Sequence, residues 1–337
     1  MNKRSVRKFC SILLIFSMCV RVASATGLDK RLVQALQQTR TSEEFIAWMF
    51  RLETGQTLKP EPARQNLPQV WTVHITQPNV PAVPAPQPKS QPIFTAADAE
   101  RIRIAGACSY EVDKQALLLQ ESLPKKTSDA PQILIVHTHS SEAYTPELGW
   151  EYDESERLRT GDENYSVIRV GAQLAQKLEA GGIGVVHDTE LNDYPTYDGA
   201  YERMRVKIED YLAQYPSVRM VLDIHRDAVE DTDGTSLAFT TDDVAQLMLV
   251  VGTDEGGLEH PNWQENLANA MKLQVLLERK CPDICRPIDL RTERFNAHLS
   301  AGSLLIEVGA AGNTLREALR AADVLAEALI GWLGEEK

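Results

Sequence analysis

The chain has 337 residues and a hydrophobic content of 43%, which is enough for one large core or two modest ones and excludes disorder along the whole length. It carries 35 Lys and Arg residues against 48 Asp and Glu residues, a formal charge of -13. Proteins that bind nucleic acid usually display a basic surface, so this balance argues against a nucleic-acid partner. We therefore expect an acidic and mostly globular protein.

Residues 1–25 have the three parts of a secretory signal peptide. Basic residues near the start precede an apolar run, Phe9–Val20, and the small-x-small sequence Ala23-Ser24-Ala25 follows it. The apolar run is shorter than the roughly 20 residues that a membrane span needs. We expect cleavage after Ala25, with a short retained anchor as the alternative, and a protein that works outside the cytoplasm.

Two segments separate this signal from the main domain. Residues 26–59 place apolar side chains at helical spacing, which predicts a short helical N-terminal segment. Residues 60–97 form a Pro-rich linker, because prolines are concentrated between Pro60 and Pro92 and charge is sparse after Gln65. This composition favours an extended spacer over a packed core.

Three cysteines lie beyond the predicted signal peptide. Cys281 and Cys285 are close enough in sequence to close a small disulfide loop, which would leave Cys108 unpaired. Free thiols at Cys281 and Cys285 are the equal alternative.

Residues 98–337 have the pattern of a single α/β domain. Strands are predicted at 132–136, 183–186, 220–224, 246–251 and 303–308, and helices at 167–180, 201–215, 263–279 and 314–333. Strands that alternate with helices of this length predict a mostly parallel sheet with helices on both faces. Functional groups of such sheets collect at the carboxyl ends of the strands.

Three of these strands carry residue types suited to metal-assisted hydrolysis. His139 and Glu142 follow the first strand, and His225 ends a middle one. Two imidazoles and a carboxylate with an open fourth position are a common catalytic zinc set, although iron and manganese also accept it. Glu307, in the last strand, supplies the second carboxylate that such sites use as a general base. We expect zinc bound by His139, Glu142 and His225.

Two assignments in this set have rivals. Glu163 stands near the start of the helix after the first strand, so it competes with Glu142 as the carboxylate ligand. His137 lies two residues before His139, and strand alternation would put both on the same side, so it is either a ligand or a residue that orients one.

Four stretches of the sequence resemble the stage II sporulation protein P family, cell-wall hydrolases related to zinc-dependent N-acetylmuramoyl-L-alanine amidases. They are ILIVHTHSSEAY (133–144), YPSVRMVLDIHRDA (215–228), RFNAH (294–298) and LLIEVGAAGN (304–313). His139, His225 and Glu307 fall on the amidases' two zinc histidines and catalytic glutamate. The ligand glutamate matches Glu163 in the broader amidase pattern and Glu142 in the sporulation motif.

The resemblance implies an amidase-like zinc-hydrolase fold and cleavage of the bond between muramic acid and L-alanine in peptidoglycan, with an endopeptidase activity as an addition. It also implies attachment to the outer face of the cytoplasmic membrane and a role in engulfment during sporulation. Its implied partner is stage II sporulation protein D, which cuts the glycan strand.

Two other functions fit the same residues. A zinc carboxypeptidase also uses a His-x-x-Glu pair, a distant histidine and a glutamate base. A peptidoglycan-binding scaffold that keeps the fold without hydrolysis is the non-enzymatic alternative.

Overall fold

The computed structural model describes residues 93–121, 123, 131–194 and 196–334. The predicted signal peptide, the N-terminal helical segment and the predicted linker as far as residue 92 lie outside the described residues. The first described helix, α1 (Ala96–Arg101), begins within the last residues of the predicted linker. It starts there because Thr95 and Asp98 form a reciprocal capping box.

Seven strands form one sheet. Their order across it is β1 (Ile104–Gly106), β8 (Ile288–Arg291), β7 (Leu247–Gly252), β9 (Ser303–Ala310), β4 (Met220–Asp227), β2 (Ile133–Val136) and β3 (Val185–His187). All neighbouring pairs are parallel except β7 and β9, which are antiparallel. A separate hairpin joins β5 (Thr240–Thr241) to β6 (Val244–Ala245). The predicted mostly parallel sheet is confirmed.

The helices after α1 are α2 (Lys114–Leu119), α3 (Val167–Ala180), α4 (Ala200–Gln214), α5 (Trp263–Lys280) and α6 (Leu315–Leu333), with a short 3-10 helix at Ala297–Leu299. Four of the helices after α1 match predicted helices, whereas α2 and the short 3-10 helix were not predicted. The Ser166 side chain accepts a hydrogen bond from the N–H of Ile168 and starts α3. Gly181 ends the same helix.

Alternate side chains of β2 enter two different cores. Ile133 and Ile135 belong to the larger apolar cluster, which includes side chains from α3, α5 and α6. Leu134 and Val136 belong to a smaller cluster with side chains from α4. Because each fully buried aliphatic side chain contributes about 1.5–3 kcal/mol, the two clusters fix helices on opposite faces of the sheet. The predicted covering of both faces is confirmed.

The described residues also show the state of the cysteines and the character of the helices. Cys108, Cys281 and Cys285 are all free thiols, so the small disulfide loop between Cys281 and Cys285 is not formed. Among the described helices, none is long and apolar enough to cross a membrane.

Candidate active site

The three strands that carry the predicted site residues are neighbours in the sheet. β4 lies between β2 and β9 and runs parallel to both. His225 of β4 pairs in register with Glu307 of β9, so these two side chains start from adjacent positions. The segment that follows β2 arrives at the same edge, because the carboxyl ends of parallel strands meet there.

His225 is buried between two carboxylates. Its Nδ1 lies 3.5 Å from Glu142 Oε2. Its Nε2 lies 2.9 Å from Asp223 Oδ1, although the contact lacks hydrogen-bond geometry. Burial alone would lower the pKa of His225, but the nearby charges of Asp223 and Glu142 raise it well above its usual range.

Glu142 is also buried and is held by its neighbours. Its Oε2 accepts a hydrogen bond of 3.1 Å from the backbone N–H of Arg226, and its Oε1 lies 3.8 Å from Arg159 Nη2. Burial by itself would raise the pKa of Glu142, but the hydrogen bond and charge of His225 lower it to about 2. Glu142 is therefore an ionised carboxylate at neutral pH, the form that binds a metal ion.

The ring of His139 lies against His225 and two tyrosines. Its ring stacks on that of Tyr197 with a centroid distance of 4.3 Å and meets the rings of His225 and Tyr201 edge-on, each at 5.3 Å. Its Nδ1 is buried and has no hydrogen-bond partner among the described residues. Burial lowers the pKa of His139, which favours the neutral imidazole that serves as a metal ligand.

Glu307 is partly exposed as a residue, but its Oε2 is buried without a hydrogen-bond partner in the described part of the chain. Burial, reinforced by the charge of Glu142, raises the pKa of Glu307 to about 8. A carboxyl group with a pKa near the working pH exchanges protons readily, as a general acid or base must.

His137 points to a different set of neighbours from His139. Its Nδ1 lies 3.0 Å from the carbonyl oxygen of Ile224, and its Nε2 lies 2.8 Å from His187 Nε2. Both ring nitrogens are therefore engaged. The alternation argument for one shared side does not hold, because β2 ends at Val136 and residues 138–141 form a turn. The structure thus places His137 against Ile224 and His187.

Glu163, the rival to Glu142, is exposed and precedes the N-cap of α3. Glu142, by contrast, is buried against His225. The structure thus brings His139, Glu142 and His225 together, with Glu307 on the adjacent strand, and leaves Glu163 at the surface.

Asp193 and Arg159 also belong to this region, and the sequence reasoning missed both. The buried carboxylate of Asp193 accepts hydrogen bonds from the hydroxyl of Ser140 at 2.9 Å, from the N–H and hydroxyl of Ser141 at 2.9 and 2.8 Å, and from Arg159 Nη1 at 2.8 Å. It lies 4.0 Å from His139 Nδ1. The available signal was position, since Asp193 follows β3 and the ends of parallel strands share an edge.

The donor set has the composition of a zinc site. Two buried imidazoles and an ionised carboxylate lie together, and a nitrogen of each imidazole lacks a hydrogen-bond partner within the described ranges. In the present side-chain positions, however, no three His, Cys, Asp or Glu residues of the described chain are arranged to hold a metal ion. The residue chemistry fits zinc, and its binding stays a prediction.

The comparisons with known proteins agree with the sequence motifs. The sequence model of stage II sporulation protein P matches residues 77–330. Stage II sporulation protein P of Bacillus subtilis (strain 168) is 30% identical over 232 residues, which cover 64% of this chain and 56% of that protein. The match therefore spans little more than half of the relative's length.

Solved amidase structures are more distant. The N-acetylmuramoyl-L-alanine amidase AmiC2 of Nostoc punctiforme is 18% identical and covers 60% of this chain and 95% of its own, with a TM-score of 0.36. The N-acetylmuramoyl-L-alanine amidase of Clostridium difficile 630 is 17% identical and covers 61% and 96%, with the same TM-score of 0.36.

The family match includes every strand and loop that builds the candidate site, from His139 to Glu307. Because this match extends over more than half of the sequence, the chain belongs to the stage II sporulation protein P family.

Proposed function

We propose that the protein is a zinc-dependent peptidoglycan hydrolase, an N-acetylmuramoyl-L-alanine amidase that remodels the cell wall during sporulation engulfment. The observation that supports it most is the meeting of two histidines and an ionised glutamate beside a second glutamate with a raised pKa. Family membership supports the same reaction and the same substrate.

His139, Glu142 and His225 would hold the zinc ion. Zinc, when bound, supplies Lewis-acid chemistry that brings the pKa of a coordinated water down to about 7 and polarises a carbonyl group. Asp193 keeps the segment from His139 to Glu142 in place through its hydrogen bonds to Ser140 and Ser141.

Glu307 acts as the general base. It takes the proton from the attacking water and returns it to the amino group that leaves when the amide bond breaks. Burial raises its pKa to about 8 in the metal-free protein, and the charge of a zinc ion nearby would lower this pKa and favour the ionised form that accepts a proton. The in-register pairing with His225 fixes the starting position of its side chain.

The proposed setting is extracytoplasmic, either secreted or attached to the outer face of the cytoplasmic membrane. Peptidoglycan is the substrate, and stage II sporulation protein D is the proposed partner. An endopeptidase activity on the cross-links of the stem peptides is an additional proposal.

The test is digestion of isolated cell wall by the full chain, with and without added zinc, followed by mass spectrometry of the soluble products. An amidase releases stem peptides that carry a new L-alanine amino terminus. Glu307→Gln should lower the rate by about 100-fold or more, as expected for loss of a general base. The matched control is Glu163→Gln, which changes an exposed glutamate and should leave the rate unchanged.

Full activity of Glu307→Gln would overturn the mechanism. Release of C-terminal amino acids would replace the amidase by a zinc carboxypeptidase. Sedimentation with insoluble wall that stays intact, in the presence of zinc, would identify a binding scaffold instead.

A further inference from the structure

A cavity lined by arginines lies beside the candidate site. It has a volume of about 220 Å³, and its walls include Arg157, Arg159 and Arg226. Glu230 is the acidic side chain of the same lining and pairs with Arg157, while Arg159 pairs with the buried Asp193. In a chain with a formal charge of -13, three arginines along one cavity favour an anionic ligand there.

Two of these arginines contact the proposed metal ligand Glu142. The backbone N–H of Arg226 donates to Glu142 Oε2 at 3.1 Å, and Arg159 Nη2 lies 3.8 Å from Glu142 Oε1. The cavity and the candidate site therefore share a wall.

Arg226 donates through its Nε and Nη2 to the carbonyl oxygens of Ala143 and Leu158, whereas Arg159 keeps donors that the described residues do not use. Arg159 binds Ser141 and Asp193 through Nη1 alone, and its Nε and Nη2 donate no hydrogen bond within the described ranges. Its side chain keeps 18% of its surface exposed. The Nε and Nη2 edge of this guanidinium, whose Nη2 lies 3.8 Å from Glu142 Oε1, thus has unused donors, and such an edge matches the two oxygens of a carboxylate.

Arg157 stands at the outer side of the cavity. Its side chain is 60% exposed and forms an ion pair of 2.9 Å with Glu230. It also donates to the carbonyl oxygen of Gly234 at 2.8 Å. Glu230 therefore pairs with Arg157 as the carboxylate of a ligand would.

We propose that this arginine cavity binds a carboxylate group of the peptide substrate, next to the amide bond that is cut. The inference rests on the proposed function, because it assigns the cavity to the peptide side of the same substrate. The carboxylate can come from a D-glutamyl residue within the stem peptide or from the C-terminus of a peptide, and the test separates these two sources.

The test is calorimetric titration of the full chain with three tripeptides that contain no muramic acid. The first, L-alanyl-γ-D-glutamyl-L-alaninamide, has its carboxylate on the D-glutamyl residue. The second carries an amide there and a free C-terminal carboxylate, and the third is amidated at both positions. We expect at least tenfold tighter binding of a carboxylate tripeptide than of the neutral one.

Two variants of one ion pair make the test specific. Arg157→Gln should weaken binding of the carboxylate tripeptide by about threefold to tenfold, because it removes a cation. Glu230→Gln should strengthen binding severalfold, because it removes the competing anion. Arg205→Gln, which breaks an exposed ion pair with Glu202 and Glu209, is the control and should change nothing.

Equal affinity for the carboxylate and neutral tripeptides would overturn the proposal. A change of affinity in the same direction in Arg157→Gln and Glu230→Gln would also overturn it. Tighter binding of the D-glutamyl carboxylate would support the proposal and fit an amidase. Tighter binding of the C-terminal carboxylate would support the proposal and fit a carboxypeptidase. The tripeptides lack the muramyl bond, so binding is measured apart from wall hydrolysis, and either hypothesis can fail without the other.

Discussion

Replacement of Asp193 by asparagine tests how the candidate site is held together. Asp193→Asn keeps the shape of the side chain but replaces one carboxylate oxygen with an amide nitrogen. The oxygen that now accepts from Arg159 and from the hydroxyl of Ser141 would become a donor. Both hydrogen bonds have a carboxylate oxygen as the acceptor, and hydrogen bonds to charged groups are worth about 1.5–3 kcal/mol each.

We expect Asp193→Asn to lower the free energy of unfolding by about 3–6 kcal/mol on this basis. Because Asp193 also fixes the segment between His139 and Glu142, zinc affinity should fall by about 10–100-fold. Urea unfolding of the metal-free protein measures the free energy of unfolding. Competition with a zinc-chelating dye measures the zinc affinity.

Asp188→Asn is the matched control. Asp188 is another buried carboxylate, and it accepts hydrogen bonds of 3.0 Å from Lys207 and from the N–H of Glu190. Its replacement should lower stability by a similar amount and leave zinc affinity unchanged. Equal zinc affinities for the two variants would refute the positioning of the ligand segment by Asp193.

Further predictions concern packing and pH. Gly171→Ala brings a methyl carbon to 2.5 Å from His137 Nε2, so it should destabilise the protein by about 1–3 kcal/mol. Gly331 lies in a helix, and a Cβ added there would have nothing within 4 Å, so Gly331→Ala should stabilise the protein by about 0.5–1 kcal/mol. Urea unfolding measures both variants, and a change of stability in the same direction in both would contradict the packing argument. Burial lowers the pKa of His260 from 6.5 to about 4, so the unfolded chain binds more protons between these values and stability should fall as the pH drops through that range. Unfolding of the wild type and of His260→Gln across this range should show a steeper fall for the wild type, and identical slopes would contradict the assignment.

The sheet could be predicted because its central strands are apolar runs with clear ends. The runs at 132–136, 220–224 and 303–308 became Ile133–Val136, Met220–Asp227 and Ser303–Ala310. The strand Ile288–Arg291 was missed, because it is short and alternates with polar residues. Its pairing with two neighbouring strands, which no local pattern reveals, makes it a strand.

The candidate site was predictable in part for a similar reason. Strand ends pointed to His225 and Glu307, since both lie on recognisable strands. The choice between His137 and His139 depended on a turn that ends the alternation after Val136. Only its position after a strand pointed to Asp193, because its hydrogen-bond partners lie 34 to 53 residues away and meet it only in the folded sheet.

The central claim is that His139, Glu142 and His225 form one zinc site next to Glu307. The most direct measurement is the zinc content of the full chain by native mass spectrometry, for the wild type, Glu142→Gln and Glu163→Gln. The account predicts one zinc ion per chain in the wild type and in Glu163→Gln, and loss of that ion in Glu142→Gln. Zinc that is kept by Glu142→Gln and lost by Glu163→Gln would contradict it.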